Sequence, residues 1–189
     1  DLLKLINHLN LKNIILCGLS IGGLYAAIAS LEKIDVKGLV LINTLRKPSS
    51  RLDWINRAML NAAKLGGSAL IIDMGMPVIA SPKFLNKIKS KALVFENYKP
   101  LEKNDGIFKL IEGSLAADWS FDWSKINIPT LVMTGHLDKM FRIPEDIEEL
   151  VKKIKKPIAV ELPSCGHLIP LEEPELFSDH IIKFARNLS

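Results

Sequence analysis

The stretch Gly18-Leu19-Ser20-Ile21-Gly22, followed by Gly23, puts a serine between glycines where the apolar run Ile14-Ile15-Leu16-Cys17 gives way to a helix-like segment. A side chain pushed out at a strand-to-helix turn needs a strained backbone, and glycines on both sides leave room for strand and helix to approach. Such a turn holds the Ser20 hydroxyl above a sheet, at a helix start whose free N–H groups favour developing negative charge. That is a setting for nucleophilic attack on a carbonyl. Two plainer readings compete with it. A serine before a helix is often only an N-cap, and a dinucleotide-binding loop has a similar glycine content but needs glycine where Ser20 stands.

A serine hydroxyl is a weak nucleophile until a base removes its proton, so a histidine and an acid to orient it are required. Of four histidines, His8 and His180 fall in terminal helical segments and His136 directly follows an apolar run. His167, in Ser164-Cys165-Gly166-His167, lies beyond the run ending at Leu162-Pro163, at the carboxyl end of a strand, where open α/β sheets carry function. Asp138 follows the run Leu131-Val132-Met133-Thr134-Gly135 and precedes His167 by 29 positions. Its plain reading is an Asx-turn in a surface loop. The other strand end that could carry an acid offers only Asn43 and Thr44.

These residues need a scaffold, and the apolar pattern supplies one. Four runs without polar alternation, Ile14 to Cys17, Leu39 to Ile42, Leu131 to Met133 and Ile158 to Leu162, read as strands buried on both faces. Helical patterns over Gly22 to Leu31 and Pro144 to Ile154 join them in pairs, and a last helix spans Pro174 to Asn187. The result is an α/β fold, a mostly parallel sheet of about four strands flanked by helices. Residues 46–127 lack strand alternation and read as a helical insertion over one end of the sheet, dividing the core into 1–45 and 128–189.

Of the chain's residues, 48% are hydrophobic and 24% charged, and no uninterrupted apolar run reaches the roughly 18 residues of a membrane span. The net charge of +4 comes from dispersed lysines, plus a cluster at Lys152, Lys153, Lys155 and Lys156 closing a helix that opens with acids. No nucleic-acid-reading motif accompanies it. Two distant cysteines suggest neither a disulfide framework nor a zinc site and fit a reducing, cytoplasmic setting. Cys17, within a strand, is expected in the core. Cys165 is either near the site or a packed thiol.

Together, Gly18-Leu19-Ser20-Ile21-Gly22-Gly23, Ile128-Pro129-Thr130-Leu131-Val132-Met133-Thr134-Gly135-His136-Leu137-Asp138, and Gly166-His167 with Glu173-Pro174 beyond resemble the α/β-hydrolase fold superfamily. The elbow is similar in wording to that of enol-lactonases and related carboxylic-ester hydrolases, a wording shared too widely to fix a substrate. A serine nucleophile argues against haloalkane dehalogenases. The resemblance implies that residues 46–127 form the family's helical cap. It implies a serine hydrolase acting on a small-molecule ester, lactone or thioester without metal or organic cofactor: Ser20 as nucleophile, His167 as base, Asp138 orienting it, and the Ile21 N–H as one oxyanion donor. Leu19, Trp54, Met74 and Leu168 are candidate substrate contacts, although Trp54, Met74, Met76 and Phe84 equally suit the cap's own core.

Family members place several strands before the elbow, with a loop that gives the second oxyanion N–H, and this chain begins one helix before it. The expectation is therefore a C-terminal part of a larger protein, with the N-terminal part of the fold as its partner, or a truncated gene product. The alternative function is a catalytically inactive hydrolase-fold remnant or interaction module.

Overall fold

The computed structural model describes residues 1–188. Its elements run α1 (Leu2–His8), β1 (Ile14–Leu19), α2 (Ile21–Ala29), β2 (Val36–Ile42), α3 (Ser50–Ile79), α4 (Pro82–Ile88), α5 (Gly106–Ser114), β3 (Thr130–Gly135), α6 (Pro144–Lys153), β4 (Pro157–Leu162), α7 (Ile169–Glu172) and α8 (Pro174–Arg186). The four strands form one parallel sheet in the order β1-β2-β3-β4.

Apolar side chains on successive strand residues point to opposite faces, so an unbroken run needs a layer on each side. In β2, Leu39 and Leu41 face a cluster with Leu24 and Ala27 of α2, Ile147 and Leu150 of α6, and Ile6 of α1. Val40 and Ile42 face the opposite cluster, with Met133, Ile169 of α7 and Phe184 of α8. The central strands are sealed: every residue of β3 is buried. The outer strands are not. β1 alternates, and Cys17 on it is exposed rather than in the core, because periodicity reports how apolar a strand is but not which strand ends the sheet.

Between β2 and β3 the chain is helical. Helix α3 is long and apolar enough, by length and composition alone, to cross a membrane, a property that no uninterrupted run revealed. Gly67 breaks it, at φ 67° and ψ −156°. A Cβ there would collide with the carbonyl oxygen of Lys99, so glycine is required twice over. The last turn of α3 meets the carboxyl end of the sheet: the Lys139 N–H donates to Val78 O (2.8 Å) and the His167 N–H to Ile79 O (2.6 Å).

Candidate active site

Ser20 lies between β1 and α2 with φ 55° and ψ −124°, a conformation L-residues seldom adopt. Its side chain makes no capping bond, so the N-cap reading does not describe it. Space for the turn comes from two glycines. A Cβ on Gly18 would strike the backbone of Gly22 and Gly23, and one on Gly23 would strike the Thr44 side chain. Gly22 has open space around the same position, so the glycine after the serine that the packing demands is Gly23. Ile21 opens α2, where a backbone N–H has no partner within the helix.

Across the sheet's carboxyl end, Asp138 and His167 are both buried, and His167 Nδ1 lies 2.6 Å from Asp138 Oδ2. The second oxygen, Oδ1, accepts the N–H groups of Met140 (3.1 Å) and Phe141 (2.9 Å). The carboxylate is thereby fixed in its turn, and the imidazole is fixed against the carboxylate. The two N–H bonds are those of an Asx-turn, and the contact with Nδ1 is the geometry that the orienting role requires.

Two residues that the sequence did not single out as site residues hold these loops together. Asn43, just past β2 at φ 46°, donates through Nδ2 to the carbonyls of Gly166 (3.1 Å) and His167 (2.8 Å) and accepts the Gly135 N–H (2.8 Å) through Oδ1. One side chain thus joins the end of the acid strand to the histidine loop. Buried Glu172 accepts three backbone N–H groups, from Ser81 (2.8 Å), Gly166 (2.9 Å) and Leu168 (3.0 Å), binding the histidine loop to the start of α4.

A third residue is Arg46. Its Nη2 donates to Ser20 Oγ at 2.9 Å and to Asn43 O at 2.8 Å, and its Nε donates to Thr44 O at 3.3 Å. The guanidinium carbon sits 4.6 Å from the Trp119 ring centre and 4.5 Å from that of Phe141, and Phe141 in turn lies 5.0 Å from the His167 ring. Among the described residues, the hydrogen bond on the serine oxygen comes from Arg46 rather than from His167. Burial pushes the guanidinium pKa down to about 10, and the nearby Asp138 charge partly opposes this. It remains a cation at neutral pH.

The other candidates fall in varied places. Leu19 ends β1 and packs on the α8-side cluster, and Leu168 caps α7 directly after the histidine. Trp54 is 79% exposed but lines a cavity of about 500 Å³ together with Arg51, Ile55, Val78, Lys139 and Met140. Met74, 65% exposed, does not line that cavity, and the structure does not bring it to Ser20. Cys165 is fully buried in the core, and burial pushes its thiol up, as expected of a packed thiol. His136 pairs with Glu161 at 2.6 Å on the far edge strand, while His8 is exposed on α1 and His180 half-buried on α8. Among the described residues, no group of His, Cys, Asp and Glu is arranged to hold a metal ion.

Comparison with known proteins places this geometry in context. The model of a family described as "Alpha/beta hydrolase family" matches residues 1–180. The chain is 27% identical to the uncharacterized hydrolase YugF of Bacillus subtilis (strain 168), over 96% of this chain and 68% of that protein. Among solved structures it is similar to a thermophilic esterase from Thermogutta terrifontis, solved with malate bound (27% identity, TM-score 0.80, 100% of this chain and 70% of that one). It also shares its fold with the enol-lactonase from Burkholderia xenovorans LB400 (21% identity, TM-score 0.78, 97% and 70%).

Proposed function

The chain belongs to the alpha/beta hydrolase family, and from that premise we propose that this hydrolase cleaves carboxylic esters, lactones or thioesters through an acyl-enzyme on Ser20. The observation that carries the reading is the buried Asp138–His167 pair at 2.6 Å, set at the same end of the sheet as a serine held at φ 55°. The esterase among the more similar solved structures agrees with the class of reaction.

In this reading Ser20 Oγ attacks the carbonyl carbon and its proton passes to His167 Nε2, while the carbonyl electron pair moves onto oxygen next to the Ile21 N–H. Asp138 accepts from Nδ1 and stabilises the imidazolium as it forms. Collapse of the intermediate breaks the bond to the leaving oxygen or sulfur, which takes the proton from His167. Water then attacks the acyl-enzyme and gives its proton to His167. The acid departs and the proton returns to Ser20.

Incubation with a fluorophosphonate probe, followed by peptide mapping, tests the reading. Labelling at Ser20 that vanishes in Ser20→Ala and falls by orders of magnitude in His167→Ala is the expected result. A folded protein that stays unlabelled and turns over no ester points to the non-catalytic alternative.

A further inference from the structure

Arg46 is a buried cation bonded to the oxygen of the proposed nucleophile. Buried cations are ordinarily matched by a carboxylate in direct contact, because desolvating an unpaired charge is costly. Among the described residues, no ion pair involves Arg46. Asp138, the acid whose charge acts on it, has its oxygens committed to His167, Met140 and Phe141. Two aromatic faces compensate part of the charge. Donors are left over: both N–H bonds of Nη1 make no hydrogen bond among the described residues, and the buried Trp119 indole N–H has no acceptor.

The surroundings extend the pattern. Arg46 and Phe141 line a crevice of about 10 Å³ that shares Arg51, Ile55 and Met140 with the 500 Å³ cavity lined by Trp54. No carboxylate lines either one. Lys47 is neutralised by Asp146 and Glu149, but Arg46, Arg51 and Lys139 have no ion-pair partner among the described residues. Apart from Ser49 and Ser50, the lining of both is apolar or cationic.

We propose that Arg46 is a specificity residue that anchors a carboxylate on the substrate, so that the ester, lactone or thioester cleaved here is the derivative of a dicarboxylic or otherwise anionic acid. The inference rests on the hydrolase reading above and narrows it. The free Nη1 edge takes the carboxylate through charge-assisted hydrogen bonds, while Nε and Nη2, held by the carbonyls of Thr44 and Asn43, fix the plane of the guanidinium. An anion bound there lies next to Ser20, because the same guanidinium touches Oγ.

The test compares p-nitrophenyl hydrogen glutarate with p-nitrophenyl valerate, five-carbon acyl chains that end in a carboxylate or a methyl group. The expected kcat/KM ratio favours the glutarate by about tenfold or more, mostly through KM. That ratio falls about tenfold in Arg46→Met and partly in Arg46→Lys, which keeps the charge without the planar fork. A ratio near unity in the parent protein overturns the proposal, as does an Arg46→Met variant that slows both esters equally, since that marks a structural or oxyanion role. Calorimetry with glutarate separates the anchor from the chemistry. Ser20→Ala binds glutarate and Ser20→Ala with Arg46→Met does not. If Ser20 proves unreactive, that pair still decides the anchor, and equal binding by both variants overturns it.

Discussion

The two halves of the site are held by different forces. On the acid and histidine side, position is set by directional bonds: Asp138, Asn43 and Glu172 together make nine hydrogen bonds, eight of them to main-chain groups and one to the His167 ring. On the elbow side, position is set by contact. Gly18 and Gly23 admit neighbouring atoms where any Cβ would collide, and a single cation reaches Ser20 Oγ. The bonded half lies over the central and outer strands, β2 to β4, while the packed half sits on β1, the edge strand. Loss of one hydrogen bond degrades orientation, and loss of one glycine degrades the backbone itself. The two halves should therefore fail in different ways.

The largest effect is expected from Asp138→Asn. The asparagine oxygen can still accept the Met140 and Phe141 N–H groups, so the turn persists. Its amide then faces His167 Nδ1 and imposes the wrong tautomer. A fall in kcat on the order of 10⁴ follows, with little change in Tm. Ester turnover and thermal melting measured on the same sample separate the two. A comparable loss of Tm would mean that the carboxylate is chiefly structural.

The packed half gives the reverse signature. Gly18→Ala forces a methyl into the backbone of Gly22 and Gly23, and a cost of about 3 kcal/mol or more is expected in denaturant unfolding. Gly22→Ala, in the same five-residue motif, meets nothing and should be neutral or stabilising by about 0.5–1 kcal/mol on a helix turn. Equal losses in the two variants would contradict the packing described here. Between these extremes, Glu172→Gln leaves one of three N–H groups facing an amide donor and should cost about 2 kcal/mol, with a lowered kcat as the histidine loop loosens.

Much of the scaffold could be read from local pattern. The four apolar runs became the four parallel strands, each extended by one to three residues at its ends. Strand ends also pointed to Asp138 and His167, which the structure brings to 2.6 Å. What escaped was long-range and made by side chains. Asn43 was weighed only as an acid that was not there, yet its partners lie 92 to 124 positions away, where no periodicity reports them. Glu172 bonds Ser81 across 91 positions. Arg46 was passed over as the first residue of the insertion, although an arginine four residues past a central strand is an odd choice for a loop and was the available signal. Cys17 was misplaced for a topological reason, because being interior or at the edge is a property of the sheet and not of the strand.

That misplacement yields the mildest prediction, and it measures the edge directly. Cys17 and Cys165 are the two cysteines of the chain, one on the open flank of β1 and one sealed between β2, β3, α7 and α8. A thiol reacts as its thiolate, so both access and acidity enter. Burial pushes the Cys165 thiol up, and desolvation of the sulfur against the sheet pushes the Cys17 thiol up as well, so neither reacts quickly at neutral pH. Access then decides between them. Cys17 should accept N-ethylmaleimide in the folded protein, faster as the pH rises and more thiolate forms, while Cys165 should require global unfolding and be modified only in denaturant. Mass spectrometry of the two peptides over a time course reads both rates at once. Protection of Cys17 equal to that of Cys165 would mean that β1 is covered in solution, and the packed half of the site would then gain a support that the bonded half does not need.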